Sequence, residues 1–317
     1  MKSLKYLFFL LLVSTYCPAN AGSAIGLTTG GLDYSAMQSK ILNYENQFSQ
    51  QKTDFITTKN QILSCSEVEI VSIPIAAAII DKNIITMNNI EKDSTYIIFN
   101  YIFYTAVNAF NDSLELKYPE ILQKIDKGIN DPEIKEFKKC LDLCGLSLLN
   151  SEGSYYVDEK YDYYFDLFKG KVSPALNEYL KIRSKELRQG YSEDADLLIG
   201  FDDLYDRVVT WEDFMIQYPD FILMKDAEFN YTSYLSTLIT GTDNSETFDS
   251  ETQNLYPGIK RLYEKIISHK DGKKSTKVIS DYYELLKKNN FKQPDNLDLF
   301  LKANNLTSMV GVQPETR

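Results

Sequence analysis

The sequence predicts an all-α fold, a helical bundle followed by stacked helical hairpins that resemble a short α-solenoid. Apolar residues recur at spacings of three and four through much of the 317-residue chain, which is the periodicity of helices that bury one face. Asp131 and Pro132, and again Ser173 and Pro174, combine an N-cap side chain with proline at the first helical position. After Ser173, an apolar stripe at helical spacing consists of Leu176, Leu180, Arg183 and Leu187.

The clearest helical pattern begins at Ser192, a suitable N-cap, and ends before Pro219. Its opposite, acidic face is expected to be solvated, and Arg207 can pair there with Asp203 one turn away. The apolar seam of this helix consists of Leu197, Phe201, Leu204, Val208, Trp211, Met215 and Tyr218. A second helix follows the turn at Pro219, with an apolar face of Ala227, Tyr231, Tyr234, Leu235 and Leu238. Two helices joined by so short a connection predict a hairpin.

The first 21 residues have the pattern of a cleaved signal peptide. Lys2 and Lys5 precede an apolar run, and small residues surround Ala21, as signal peptidase requires. The run is shorter than the roughly 20 residues that span a bilayer. Cys17 raises the alternative of a lipoprotein, but Tyr16 stands where lipidation needs a small side chain. We therefore expect a periplasmic or secreted protein without membrane insertion after cleavage.

The remaining chain divides into four predicted segments. Residues 22–33 are small and polar and predict a flexible mature N-terminus. Residues 34–150 predict an N-terminal helical domain, centred on the strongly apolar stretch 96–110. Residues 151–305 predict a C-terminal domain of helical hairpins, and residues 306–317 a disordered tail.

The charge balance limits the classes of partner. Aspartate and glutamate number 45 against 34 lysines and arginines, so the net charge is −11. Such a chain is repelled by phosphate backbones and by anionic lipid surfaces. The sequence therefore argues against nucleic acid and favours a protein or peptide partner that is basic or neutral.

No cofactor or metal site is expected. The only histidine, His269, lies in a lysine-rich turn without other soft ligands nearby. Asp243, Ser245, Thr247 and Asp249 alternate as in some calcium loops, but the glycine and the closing glutamate of an EF-hand are absent. The sequence also contains no Gly-rich phosphate loop and no nucleophile elbow.

Three cysteines lie beyond the signal peptide. Cys140 and Cys144 are four residues apart on a predicted helix, where their Cβ atoms would be about 5–6 Å apart, too far for a disulfide. An oxidising compartment would therefore favour a bridge from Cys65 to one of these two. The alternative is three buried thiols.

A resemblance supports the hairpin prediction. Residues 214–220, Phe-Met-Ile-Gln-Tyr-Pro-Asp, followed by Ala227 in the next helix, resemble the end of the second helix in tetratricopeptide-like hairpins of bacterial envelope proteins. The resemblance covers residues 211–240, and the Trp-Leu-Gly-Tyr pattern of the first helix and the roughly 34-residue period of that family are missing. It implies stacked hairpins with a concave surface for peptides or proteins.

These observations lead to a functional expectation with two alternatives. We expect a non-enzymatic protein-binding or scaffolding module of the cell envelope, whose groove is lined by Trp211, Tyr218, Tyr231 and Tyr234. One alternative is a cell-wall or glycan hydrolase that uses Glu152 and Asp158 as its catalytic carboxylates. The other is an exported factor that acts on another cell.

Overall fold

The computed structural model describes residues 32–47, 53–65 and 69–306. Within these ranges the chain forms thirteen α-helices and two small two-stranded sheets, which confirms the predicted all-α class. The predicted signal peptide, nearly all of segment 22–33 and the predicted tail after residue 306 lie outside the described residues.

The first part of the fold is a helical bundle. Its helices are α1 (Tyr34–Gln47), α2 (Phe55–Ser64), α3 (Ser72–Asn83), α4 (Asn89–Lys117), α5 (Pro119–Asp126) and α6 (Pro132–Leu143).

Helix α4 is the centre of this bundle. It is 29 residues long and begins with a capping box, in which Asn88 and Glu91 satisfy each other's main-chain N–H groups. Phe99 and Phe103 on α4 are fully buried. The predicted core stretch 96–110 therefore does lie within a buried helix, as its apolar composition indicates.

A β-hairpin follows α6. Its antiparallel strands are β1 (Leu146–Ser151) and β2 (Ser154–Glu159). Helix α6 stops at Leu143 because Gly145 adopts a positive φ of 71°, a conformation that ends helices readily.

The second part of the fold contains seven more helices and a short hairpin. Its elements are α7 (Tyr163–Phe168), α8 (Pro174–Gln189), β3 (Ser192–Glu193), β4 (Asp196–Leu197), α9 (Phe201–Gln217), α10 (Met224–Thr240), α11 (Pro257–Ser268), α12 (Lys274–Lys288) and α13 (Leu297–Ala303).

The predicted helix start at Ser192 is wrong. Ser192 pairs with Leu197 in the β3–β4 hairpin, and the turn between them consists of two residues with positive φ, Asp194 and Ala195. Helix α9 begins after Gly200 instead. Two successive left-handed residues cannot belong to an α-helix, so Leu197 is not part of the helical seam.

The rest of the predicted hairpin is confirmed. Leu204, Val208 and Trp211 are buried, and the helix ends at Tyr218, immediately before Pro219. Helices α9 and α10 pack against each other more extensively than any other pair of helices among the described residues. Buried apolar residues from Met37 to Leu306 form one continuous cluster.

The three cysteines of the described residues form no disulfide. Cys65, Cys140 and Cys144 are buried thiols, so the structure favours the alternative without a disulfide. The Cys144 thiol donates to the Ile70 carbonyl at 3.3 Å.

None of the helices in the described ranges is long and apolar enough to cross a membrane.

Candidate functional site

A cleft opens between α4, α8, α9 and α10, at the junction of the two parts of the fold. Its volume is about 530 Å³, within the range of typical small-molecule sites. Four helices contribute side chains to it, among them Tyr96 from α4, Arg183 from α8, Arg207 from α9 and Asn230 from α10. The lining combines aromatic rings with several polar and charged groups.

One wall contains a buried ion pair. Arg183 Nη1 lies 2.6 Å from Glu159 Oε1, and the Glu159 side chain is only 3% exposed. The Tyr104 hydroxyl joins both partners, because it accepts from Arg183 Nη2 at 3.0 Å and donates to Glu159 Oε2 at 3.2 Å. Burial raises the pKa of Glu159, and the Arg183 charge opposes that rise. The positive charge of Arg183 is therefore compensated inside the protein.

A second network surrounds Glu186 on α8. The Trp211 indole N–H donates to Glu186 Oε1 at 2.9 Å, and the Tyr234 hydroxyl donates to Oε2 at 2.9 Å. Burial raises the pKa of Glu186 to about 7, while the Arg207 charge and these two hydrogen bonds act in the opposite direction. The cleft therefore contains a carboxyl group that titrates close to neutral pH.

Arg207 does not form the surface pair with Asp203 that its spacing suggested. It is 5% exposed, and its guanidinium donates to the main-chain carbonyls of Gly190 at 2.6 Å and of Glu186 at 3.4 Å. It also donates to the Tyr234 hydroxyl at 3.4 Å. Tyr234 thus lies between Arg207 and the Glu186 carboxylate and links the two charges.

The structure separates the four residues of the predicted binding groove. Trp211 and Tyr234 line the cleft, whereas Tyr231 lines a second cavity of about 810 Å³ beside α12. Tyr218 caps α9 and packs on Phe214, with ring centroids 5.1 Å apart. Trp211, Tyr231 and Tyr234 are each less than 9% exposed, so the expectation of one open aromatic groove formed by all four residues is corrected.

The two carboxylates of the predicted glycosidase pair do not share a cavity. Glu152 lies at the tip of the β1–β2 hairpin with a positive φ of 51°, while Asp158 pairs with Ser147 near the other end of the strands. Asp158 accepts a hydrogen bond from the main-chain N–H of Glu159 at 2.7 Å. Neither residue lines either cavity.

The loop considered for calcium is held by its own hydrogen bonds. Asp249 accepts from the main chain and the hydroxyl of Thr252, both at 2.7 Å, and Ser245 donates to Asp196. Within the described ranges, no group of three or more histidine, cysteine, aspartate or glutamate side chains is arranged to hold a metal ion.

Most of the cleft could not be identified from sequence. Besides the predicted Trp211 and Tyr234, Arg183 gave a signal, because it stands on the apolar stripe of α8, where a charged side chain needs a buried partner. Tyr96 and Asn100 on α4 and Asn230 on α10 gave none, since these two helices are far apart in the chain and meet only through tertiary packing. Comparisons with protein-family models, with curated proteins and with solved structures found no match to this chain.

Proposed function

We propose that this chain is an exported, non-enzymatic helical protein of the cell envelope that binds a protein or peptide partner. The site is the cleft between α4 and α8–α10. The observation that supports this proposal is the cleft itself, a space of about 530 Å³ lined by aromatic rings together with hydrogen-bonding groups from four helices. Such a combination of apolar surface and a few polar groups is typical of ligand sites.

The charges around the cleft favour a basic or neutral partner. Arg183 is compensated by Glu159, and Arg207 is 5% exposed with its guanidinium donating to main-chain carbonyls. Asp226, an exposed residue at the start of α10, adds one further carboxylate to the lining. The guanidinium groups of the lining are thus held by groups of the protein itself, and the net charge of −11 opposes the approach of an acidic ligand.

The tetratricopeptide-like resemblance is compatible with this proposal. The resemblance concerns the α9–α10 hairpin, which contributes Arg207, Trp211 and Tyr234 to the cleft. Repeat proteins of that kind use surfaces between helices to bind peptides. The proposed occupant is therefore a segment of a partner that enters the cleft, rather than a partner bound over a broad surface.

The test places a bulky side chain in the cleft and compares which partners the wild type and the variants bind. Asn100 on α4 lines the cleft, whereas Asn108 is an exposed residue on the same helix outside it. We expect the wild-type protein and Asn108→Phe to capture the same partner from envelope extracts by cross-linking. Asn100→Phe, folded by circular dichroism, should lose that partner.

Binding of the purified partner is then measured by fluorescence. Trp211 is the only tryptophan of the chain and lines the cleft, so its emission should change on binding without any label. If Asn100→Phe keeps the partner with unchanged affinity, or if no variant captures any protein, the proposed function is wrong.

Export is tested separately from binding. We expect the precursor to be cleaved after Ala21 when it is expressed with its own N-terminus in a bacterium. The intact mass of the protein isolated from the periplasm or the medium shows whether residues 1–21 have been removed. Retention of the full-length chain in the cytoplasm would contradict the export proposal and leave the binding proposal standing.

A further inference from the structure

Several polar groups face the cleft without an intramolecular partner. Asn100 on α4 and Asn230 on α10 are half-buried, and Tyr96 and Tyr179 are only 4% and 6% exposed. All four line the cleft, and no hydrogen bond joins their side chains to any other described residue. The polar atoms of these four side chains do not belong to the fully buried, unsatisfied atoms of the described residues, so they are open to the cleft and can bond to a ligand there. These four side chains therefore indicate where a ligand forms hydrogen bonds.

The chemistry of the four groups defines what they can bind. Each asparagine carboxamide offers a donor and an acceptor in one plane, which matches the N–H and C=O of a peptide main chain. Burial raises the pKa of Tyr96 to about 12, so its hydroxyl remains protonated and can donate to a carbonyl. None of the four carries a charge at neutral pH. Arg183 is paired with Glu159, and Arg207 is 5% exposed and donates to main-chain carbonyls. The recognised part of the ligand is therefore uncharged.

The rings of Tyr96 and Tyr179, the two most buried tyrosines of the lining, do not favour a carbohydrate. Tyr96 packs edge-to-face with Phe168 at 5.3 Å and with Tyr164 at 5.7 Å. Tyr179 packs edge-to-face with Trp211 at 5.6 Å. These rings are covered by one another and almost fully buried, so they present hydroxyl groups rather than open faces on which a sugar would stack.

The edge of the cleft supplies apolar contact of the kind that a peptide side chain needs. Asp226, Phe229 and Asn230 share one face of α10, at spacings of three and four residues. Phe229 is 50% exposed. A bound peptide whose main-chain amide reaches Asn230 would therefore pass beside the exposed ring of Phe229 and the carboxylate of Asp226.

We infer that the cleft, as the site of the binding function proposed above, holds the main chain of an extended peptide. Asn100 and Asn230 exchange hydrogen bonds with its amides from two different helices, and the hydroxyls of Tyr96 and Tyr179 donate to its carbonyls. Recognition through the main chain makes the site tolerant of sequence. The exposed Phe229 and Asp226 then favour an apolar or basic side chain beside the bound amides.

The experiment uses dye-labelled, end-blocked random peptides and the same peptides N-methylated along the main chain. Equilibrium binding to the full chain is measured for wild type, Asn100→Leu, Asn230→Leu and the control Asn108→Leu. We expect the unmethylated peptides to bind wild type and the control equally. Methylation, or either leucine variant of the cleft, should weaken binding about tenfold, since a lost pair of hydrogen bonds is worth about 1.4 kcal/mol.

The outcomes separate this inference from the proposed function. If unmethylated and methylated peptides bind equally, or if the cleft variants bind like the control, main-chain recognition is wrong although peptide binding stands. If the random peptides do not bind but oligosaccharides of the cell wall do, with sensitivity to Asn100→Leu, the ligand class is wrong. If the envelope partner is also unaffected by Asn100→Phe, the cleft is not the binding site and both proposals fail.

Discussion

The indole N–H of Trp211 donates to Glu186 Oε1 at 2.9 Å, which ties α9 to α8 at the wall of the cleft. The other carboxylate oxygen accepts from Tyr234 on α10 at 2.9 Å. One partly buried carboxyl group thus holds three helices in a fixed relation. Since burial favours the protonated form of Glu186 more than these two donors and Arg207 favour the carboxylate, the stability of this packing is linked to pH.

Glu186 should make stability fall as the pH rises from 4.5 to about 7. Its pKa is raised from 4.5 to about 7 by burial, so the folded state binds more protons than the unfolded state within this interval. Stability is therefore greatest below the unfolded pKa and is lost as the pH passes through the folded pKa. Glu186→Gln should reduce this fall by up to about 3 kcal/mol, measured by urea unfolding around pH 5 and around pH 8.

The control for this prediction is Glu115→Gln, at an exposed position of α4. It should keep the wild-type pH dependence. Burial also raises the pKa of Glu159, so some dependence of the same sign will remain in Glu186→Gln. Identical pH profiles for Glu186→Gln and wild type would contradict the assignment.

Arg183→Leu should destabilise the protein strongly. Its guanidinium is the ionic partner of Glu159, whose side chain is 3% exposed, and the variant leaves that carboxylate buried without a cation. Breaking one side of a buried pair costs about 3–5 kcal/mol. The change is read as the free energy of unfolding in guanidinium chloride.

Two further variants test whether the buried charge of Glu159 causes this loss of stability. The double variant Arg183→Leu with Glu159→Leu should recover much of the lost stability, because no charge is then buried alone. Lys181→Leu, which breaks the exposed pair between Lys181 and Glu178, should cost less than about 1 kcal/mol. A double variant no more stable than Arg183→Leu would show that the charge of Glu159 is not the cause.

The sequence correctly predicted those helix ends that depend only on neighbouring residues. The caps at Asp131 and Ser173 and the stop at Tyr218 are found where expected, because each depends on a side chain and main-chain groups within one turn. The predicted start of this helix at Ser192 was wrong, because Ser192 instead pairs with Leu197 in the β3–β4 hairpin. The spacing of apolar residues does not reveal that Asp194 and Ala195, which lie between Ser192 and Leu197, have positive φ.

The cleft could not be predicted for a different reason. The acidic face of α9 is solvated as expected, with Asp202, Asp206 and Asp213 exposed, yet Arg207 on the same helix turns inward to main-chain carbonyls of α8 and the residue after it. Which of two polar residues is buried depends on acceptors supplied by another helix. Single-helix patterns contain no information about such acceptors.

Glu212→Ala should destabilise α12, although the two lie 62 residues apart. The N-cap of α12 is Lys273, which provides no capping side chain. Glu212 accepts instead from the main-chain N–H of Lys274 at 2.5 Å and of Ser275 at 3.2 Å. We expect a loss of about 2 kcal/mol on replacement by alanine and a smaller loss in Glu212→Gln, measured by chemical denaturation.

Hydrogen exchange distinguishes a capping role from a general packing role. In Glu212→Ala, the first-turn amides of α12 should exchange faster relative to those of α4 than in wild type. Uniform acceleration in both helices would show that Glu212 stabilises the fold globally rather than the start of α12.

The three described cysteines should alkylate only after unfolding. Cys65, Cys140 and Cys144 are buried thiols, and burial raises the pKa of Cys140 to about 11, so the reactive thiolate is scarce in the folded state. Iodoacetamide should leave them unmodified in native protein and modify all three in denaturant without a reductant. Resistance of Cys65 and one other cysteine in denaturant would reveal a disulfide.

Gly145→Ala should be far more damaging than Gly153→Ala, although both glycines have positive φ. A Cβ at Gly145 would lie 2.2 Å from the ring of Tyr163, whereas a Cβ at Gly153 meets nothing within 4 Å. Both variants carry the backbone cost of a left-handed residue, about 1 kcal/mol, so their difference measures the contact with Tyr163. We expect Gly145→Ala to cost at least about 2 kcal/mol more than Gly153→Ala in urea unfolding, because Tyr163 is packed against Phe99 and Phe103. Equal losses would mean that the ring moves aside freely, and Tyr163→Leu in the Gly145→Ala background should restore stability if the ring is the obstacle.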